Sequence, residues 1–235
     1  MDDPWKSLQA AALEAIGPHW GEYAKEGREA AALAPLSKFP TAAAWLARSM
    51  SKSTDCITRK LAAMLAGWIQ DPKQISMLRE MLDRERAVFQ KDSLSANSVG
   101  EDIMFAATRW TRAEDGQIRS AGIDVLAWMV DDALTGIPWN TAHWSVANLY
   151  NATHGRHQIF GRLAHLTEER LTGQRFLLRA VTALQQNDVV TLQRLVTLPS
   201  SEQSLSPGDP AYPLIVSLWK AAALAEAATR PDRRA

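Results

Sequence analysis

The sequence predicts an all-α protein, and three observations support this fold class. It contains 38 Ala and 26 Leu against 10 Val and 10 Ile, so strong helix formers outnumber the β-branched residues that favour strands. Apolar residues recur with the period of an α-helix, and no stretch alternates apolar and polar residues long enough to predict a strand. Between residues 41 and 198 the only prolines are Pro72 and Pro138, so little interrupts the helices there.

The N-terminal part, residues 1–52, is expected to form a helical cap. Asp3 followed by Pro4 is the arrangement of a helix N-cap with proline at the first helical position, which needs no N–H donor. Three helices are predicted there, over 4–16, 18–34 and 41–50.

Residues 53–198 are expected to form helical hairpins, because one apolar helix face recurs along them. The face recurs at an offset of about 42 residues and, more weakly, after about 43 more. Its first two copies are Ile57, Leu61, Met64, Leu65 and Trp68, then Val99, Ile103, Ala106, Ala107 and Trp110. The predicted hairpins are 57–70 with 72–90, 97–112 with 117–134, 141–154 with 157–171, and 174–186 with 188–198.

The C-terminal part contains one more predicted helix. Residues 199–213 are rich in Ser, Pro and Gly and predict a loop. A helix over 214–229 and a polar tail over 230–235 follow it. The whole chain, 1–235, is expected to be a single all-helical domain with this order of segments.

The stretch 57–72 is an Ala- and Leu-rich helix that leads into Asp71-Pro72. It resembles a unit of the HEAT-like and armadillo-like helical-repeat (α-solenoid) family, whose units commonly join their helices through a short Asp-Pro turn. This resemblance covers about 140 residues and fits the 40–47-residue period of such arrays. It implies a HEAT-like α-α superhelix of about four hairpins with a concave binding face. It implies no reaction, because a fold does not carry a function.

Composition excludes several classes of protein. The 26 basic and 26 acidic residues cancel, and the single Cys56 rules out an internal disulfide framework and any multi-cysteine metal site. No apolar run approaches the length of a membrane span, and the acidic start Met1–Trp5 is unlike a secretion signal. We expect a cytoplasmic protein without a cofactor and with no membrane partner.

No catalytic motif is present: the sequence has no phosphate-binding glycine loop, no Gly-x-Ser-x-Gly and no His-Glu-x-x-His. Four of the five histidines lie close together in the sequence, namely His143, His154, His157 and His165. The spacing of His154 and His157 could hold a metal only if a helix continued through Gly155, a residue type that favours helix ends. We therefore predict surface or capping histidines and no metal site.

Two of the nine tryptophans are candidate binding residues. Trp68 and Trp110 hold equivalent positions in the repeat and predict core packing. Trp139 follows Pro138 in an inter-helix turn, and Trp144 falls off the apolar face of its helix. Aromatic residues at such positions bury much surface at small entropic cost and serve as binding anchors. Trp139 has an equally good alternative, which is to pack against the start of its own helix.

The charges are separated along the chain although they sum to zero. Residues 97–134 carry a net charge of −4, and residues 153–195 carry a net charge of +3. The second stretch contains arginine but no lysine. Arginine suits phosphate or carboxylate recognition through its planar guanidinium. Solvated helix faces with internal ion pairs are the alternative. The candidate charged residues are Asp131, Asp132, Arg156, Arg162, Arg175 and Arg179.

Two functions fit these features. The favoured one is a non-enzymatic protein-binding α-solenoid that acts as an adaptor, a chaperone or a neutralising inhibitor such as a bacterial immunity protein. The alternative is a nucleic-acid enzyme that resembles the HEAT-like DNA glycosylases, with the arginines on the phosphates, Trp139 and Trp144 as aromatics and Asp131 or Asp132 as the acid. The neutral total charge disfavours nucleic acid, so another protein is the expected partner.

Overall fold

The computed structural model describes residues 3–16, 29–171, 173–196 and 205–230, and these residues form twelve α-helices and no strand, which confirms the all-α class. Within these ranges no helix combines the length and the apolar character needed to cross a bilayer. The helices are α1 Pro4–Ile16, α2 Glu29–Leu33, α3 Pro40–Met50, α4 Cys56–Ile69, α5 Ile75–Phe89, α6 Ser93–Trp110, α7 Gly116–Thr135, α8 Ala142–Thr153, α9 Ile159–Leu163, α10 Arg175–Gln185, α11 Val189–Leu195 and α12 Tyr212–Ala228. Three short 3₁₀ helices cover Ala34–Lys38, Pro72–Gln74 and Glu168–Leu171.

The predicted helix over 157–171 is wrong in its length. The chain forms only the five-residue α9 and a separate 3₁₀ turn there. A tertiary contact supplies the reason, because the Gln185 side-chain amide donates to the carbonyls of Leu163 at 3.2 Å and Leu166 at 3.0 Å. These carbonyls are satisfied without a further helical turn. Of the predicted helix over 18–34 and the predicted loop over 199–213, residues 18–28 and 199–204 lie outside the described residues.

Aspartate side chains fix where several helices begin. The carboxylates of Asp55, Asp92, Asp115 and Asp188 each accept a backbone N–H bond from the first turn of α4, α6, α7 and α11. This geometry satisfies donors that have no partner inside the helix. The predicted cap at Asp188 is confirmed, with the Thr191 N–H donating at 3.0 Å.

The helices pack into two compact units. Unit 1 comprises residues 1–74 and 199–235, and unit 2 comprises residues 75–198. The helices predicted as the first hairpin therefore belong to different units, with α4 packing on α1 and α3, and α5 packing on α6. The grouping of 1–235 as one domain stays a prediction.

Unit 1 is built around α12, which packs on α1 and α3. The buried carboxylate of Glu226 accepts the Ala42 N–H at 2.9 Å and so caps the first turn of α3 from a distant part of the sequence. The indole of Trp219 donates to the Ala32 carbonyl at 2.9 Å. Both bonds tie the C-terminal helix to the N-terminal segment.

In unit 2 the helices from α5 to α8 pack each on the next, and α10 then packs on α8 and α11. The contact of α6 with α7 is very close at Gly122, where an ideal Cβ would lie 2.6 Å from the Ala107 carbonyl oxygen. Trp110 is fully buried beside it, which confirms its predicted core position, whereas Trp68 in unit 1 is half-buried.

Helix boundaries recur at a regular spacing along the sequence. Three alternate helices, α4, α6 and α8, end at Ile69, Trp110 and Thr153. The α-helices that follow them begin at Ile75, Gly116 and Ile159. From each of these helix pairs to the next, the start of the second helix therefore advances by the same number of residues as the end of the first. The boundaries thus follow the period of the apolar face in the sequence.

Candidate functional site

A groove of about 1020 Å³ lies in unit 2, where the N-terminal halves of α6, α8 and α10 meet. Its rim carries two strongly exposed apolar side chains, Leu94 on α6 at 81% and Phe176 on α10 at 64%. The turn before α8 and the N-terminal residues of that helix form another part of the lining, including Trp139, Thr141 and Trp144.

A row of rings runs along this groove. The ring of His143 lies 4.7 Å from Trp144 and stacks on Phe176 at 5.1 Å, while Trp144 stacks on Phe105 at 6.5 Å. Burial lowers the pKa of His143 below its usual value, and a hydrogen bond to the Asn140 carbonyl opposes this effect. The imidazole is therefore neutral near pH 7 and packs as an uncharged, buried ring against Trp144 and Phe176.

Trp139 is a structural residue of the groove and not an exposed anchor. Only 2% of it is exposed, and its indole N–H donates to Asp132 at 3.0 Å. Phe89 contacts the ring edge-on at 5.4 Å. The same Asp132 oxygen accepts from the Arg86 Nε at 2.8 Å. The prediction of Trp139 as a binding anchor is wrong, because nearly all of its surface is already covered. Its ring contacts belong to α5, α6 and α7, so packing against the start of its own helix stays untested.

The turn before α8 is held against α6 by one further bond. The backbone N–H of Asn140 donates to the Asn97 side chain at 2.9 Å. An ideal Cβ on Gly100 would lie 3.0 Å from the Trp139 ring, so glycine lets this ring pack closely against α6. The N-terminus of α8 is consequently fixed at the groove.

Neither α8 nor α10 has a side-chain cap at its N-terminus. The N-cap residue of α8 is Thr141, which is 3% exposed and whose hydroxyl is buried with no hydrogen-bond partner in the described part of the chain. The N-cap residue of α10 is Gln174, whose amide donates instead to the Ala133 carbonyl at 3.3 Å. Both residues line the groove.

The structure brings only some of the predicted charged residues to this place. Arg175 lines the groove, as does Glu101, which was not among the candidates chosen from the sequence. Asp131 forms an ion pair with Arg162, and Asp132 pairs with Arg86, so the adjacent aspartates serve internal contacts. Arg156 and Arg179 are exposed and do not line the groove.

Phe176 was also not among the sequence candidates. The buried residues of α10 are Leu177, Ala180, Val181 and Ala183. Phe176 lies four residues before Ala180 and seven before Ala183, so helix periodicity places it on this same face and predicts burial. The structure leaves it 64% exposed in the first turn of α10, so the sequence pattern carries no signal for its exposure.

The histidines are not arranged as a metal site. Helix α8 ends at Thr153, and His154 has a left-handed backbone with φ of 51°, so His154 and His157 do not share a helix. His143 is buried and stacked between rings, so the prediction of a surface or capping residue is wrong for it, whereas His154 is the C-cap residue of α8. No group of three or more His, Cys, Asp or Glu side chains within residues 3–16, 29–171, 173–196 and 205–230 could hold a metal ion.

Unit 1 has a smaller pocket of about 230 Å³ between α1, α3 and the start of α4. Leu13, Leu46 and Met50 contribute apolar surface to it, and Lys52 contributes one charge. It lacks the aromatic row and the two helix N-termini of the groove in unit 2, so the groove is the stronger candidate.

Comparison of the chain with known proteins gave no significant match to a family model, to a curated protein or to a solved structure.

Proposed function

We propose that this chain is a non-enzymatic protein-binding protein of the HEAT-like helical-repeat type, and that its groove holds a short apolar segment of another protein. The observation that carries the proposal is the exposure of Leu94 on α6 and Phe176 on α10, which both line a groove that also contains aromatic rings. Large apolar side chains that flank one groove mark interaction sites on protein surfaces.

The form of the groove favours a protein segment over a small molecule. Small ligands are usually enclosed in concave pockets that bury most of the ligand surface. Here Leu94 and Phe176 lie at the rim and are 81% and 64% exposed. A small ligand enclosed in the groove would leave both side chains in water. A peptide segment that extends across the rim would cover both of them.

The repeat type is supported by the spacing of the helix boundaries. Helix ends at Ile69, Trp110 and Thr153 follow a period of about 42 residues, which is within the range of HEAT and armadillo units. In unit 2 each helix from α5 to α8 packs on its neighbour in sequence, as the stacked hairpins of such arrays do. An adaptor, a chaperone and a neutralising inhibitor would each use a groove of this kind.

The test is a selection of peptides on the full chain, followed by calorimetric titration of the selected peptide with variants. Phe176→Ala and Leu94→Ala are expected to weaken binding about tenfold each, since a buried aromatic or aliphatic anchor contributes about 1–3 kcal/mol. Leu224→Ala is the matched control, because Leu224 is also 64% exposed but belongs to α12 of unit 1.

Each outcome decides the proposal. Weaker binding in the two groove variants, with unchanged binding in Leu224→Ala, supports it. Equal binding in all variants would place the peptide elsewhere and contradict the use of this groove. Failure to select any peptide that competes for the groove would contradict protein binding there as well.

A further inference from the structure

The groove of unit 2 contains two opposite charges that do not neutralise each other. Of its described lining residues, only Glu101 on α6 and Arg175 on α10 carry a full charge near pH 7. The two side chains form no ion pair with each other, and neither has a hydrogen bond or an ion pair with another described residue. A bound molecule could therefore pair with either charge without breaking an existing contact.

Contacts one helical turn to either side of Glu101 show which face of α6 it lies on. Four residues before it, the Asn97 side chain accepts the Asn140 N–H at 2.9 Å. Four residues after it, Phe105 stacks on Trp144 with 6.5 Å between ring centroids. Because residues four apart lie on one side of a helix, Glu101 lies between these two contacts, on the face of α6 that meets the start of α8.

The carboxylate of Glu101 is accessible and only partly hydrated. Glu101 is half-buried, and its oxygens are not among the buried side-chain atoms that lack a hydrogen-bond partner in the described part of the chain. Since these oxygens also have no partner, solvent or a ligand must reach them. A charge in a partly buried position is screened less by salt and water than an exposed one, so pairing with a cation gains more there.

The rings of the groove add a second attraction for a cation. The face of a tryptophan or phenylalanine ring attracts an ammonium or guanidinium group. The half-buried Trp144 lies against the same face of α6 as Glu101, and Phe176 is 64% exposed in the same groove. Lysine and arginine also carry aliphatic stems that pack on apolar surface while the charged end reaches a polar partner.

Positive charge in the groove lies at its α10 wall. Arg175 is the first residue of α10, and the first turn of that helix adds the partial positive charge of its peptide dipoles. Arg175 is exposed, so solvent screens its charge more strongly than that of the half-buried Glu101. A cation is therefore expected at the α6 wall, beside Glu101, and away from Arg175.

We infer that Glu101, together with the ring of Trp144, binds a basic side chain of the partner segment. The inference rests on the proposed function and adds to it the chemistry of the partner, which is an apolar segment that carries a lysine or an arginine. Charge complementarity with the unpaired carboxylate of Glu101 is the reason for this choice.

Four small probes that differ only in their second side chain test the inference on the full chain. N-acetyl-phenylalanyl-lysinamide and N-acetyl-phenylalanyl-argininamide each carry one positive charge. The norleucinamide analogue has an apolar stem without the charge, and the glutamic acid analogue carries a negative charge. Backbone amide shifts of residues 93–101, 141–144 and 175–177 report binding. We expect at least one cationic probe to bind about fivefold more tightly than the norleucine probe, and the better of the two identifies the basic residue.

Variants assign this preference to the named carboxylate. Glu101→Gln is expected to remove most of the fivefold preference and to leave binding of the norleucine probe unchanged, which shows that the groove is intact. Glu114→Gln is the matched control, because it makes the same change at an exposed position of unit 2 that does not line the groove. Arg175→Gln is expected to strengthen binding of the cationic probes about twofold, because it removes a like charge.

Several results would overturn the inference. These are equal binding of the cationic and norleucine probes, tighter binding of the acidic probe, a preference that survives Glu101→Gln, and no binding of either cationic probe at millimolar concentration. In each case a selected peptide that still depends on Phe176 and Leu94 would leave the proposed function intact. Loss of that dependence, with the preference for a cation retained, would contradict the proposed function alone.

Discussion

The indole N–H of Trp139 donates to the Asp132 carboxylate across 3.0 Å, and this bond connects the turn before α8 to the last turns of α7. The same carboxylate oxygen accepts from Arg86 of α5 at 2.8 Å. Helix α5, helix α7 and the turn before α8 therefore meet at one buried acid. The arrangement fixes the start of α8, and with it one wall of the groove.

Replacing Trp139 by Phe tests this relationship. The ring is kept in large part but the hydrogen bond to a charged acceptor is lost, so we expect the free energy of unfolding to fall by about 2 kcal/mol. Chemical denaturation measured by circular dichroism checks the change. Trp144→Phe is the control at a half-buried indole, with an expected cost of about 1 kcal/mol or less. Equal costs at both positions would contradict a special role for the Asp132 bond.

Gly122 should not tolerate even one added methyl group. Alanine is about 1 kcal/mol better than glycine inside a helix, but a Cβ here would meet the Ala107 carbonyl oxygen at 2.6 Å and the Thr111 nitrogen at 2.8 Å. Because both are backbone atoms, the helices must move apart, and we expect Gly122→Ala to cost about 2–3 kcal/mol.

The matched control is Gly161→Ala in α9, where nothing lies within 4 Å of the added Cβ. There the helix preference acts alone, and we expect a gain of about 0.5–1 kcal/mol. Thermal denaturation of the two variants measures the contrast. A stabilised Gly122→Ala would show that α6 and α7 are not in close backbone contact.

Asp55 should stabilise α4 in a pH-dependent way. Hydrogen bonds, foremost from the Thr58 hydroxyl, lower the pKa of Asp55 below its usual value. The carboxylate form therefore stabilises the fold fully above about pH 4, and this contribution is lost as the pH falls through the lowered pKa. Asp55→Ala is expected to cost about 1 kcal/mol at pH 7.

The measurement is the denaturation midpoint of wild type and variant between pH 7 and pH 2. The difference in midpoint between wild type and Asp55→Ala should become smaller as the pH falls. Asp124→Ala, at an exposed position within α7, serves as the control and should change the midpoint little at any pH. A difference that stays constant down to pH 2 would show that the charge of Asp55 does not contribute.

His143 should make the protein less stable in mild acid. Burial lowers its pKa in the folded state, so the unfolded chain takes up a proton first as the pH falls below about 6.5. The stabilisation is complete above that pH and declines as the pH drops toward the lowered pKa. His143→Phe keeps a ring between Trp144 and Phe176 but removes the titration.

We expect the melting temperature of His143→Phe to fall less than that of the wild type between pH 7 and pH 5. His165→Gln, at an exposed position, serves as the control and should follow the wild type. If His143→Phe shows the wild-type pH dependence, another group causes it.

Much of the helical framework could be predicted because its causes are local. The start of α1 follows from Asp3-Pro4, and the start of α11 from Asp188, since caps and proline act within one turn. The helix predicted over 157–171 failed because Gln185, which lies beyond that segment on α10, bonds the carbonyl of Leu163 at the end of α9 and that of Leu166 after it. Such a contact leaves no periodic signal in the segment that it ends.

The helical class, the order of the helices and their recurring spacing follow from the amino-acid sequence alone. Which aromatic residues remain at the surface depends on how the helices pack. Trp139 is covered through Asp132 and Phe89, whereas Phe176 stays largely exposed. The physical reason is that helix periodicity reports the side of a helix on which a residue lies, but exposure depends on which neighbouring helix packs against that side.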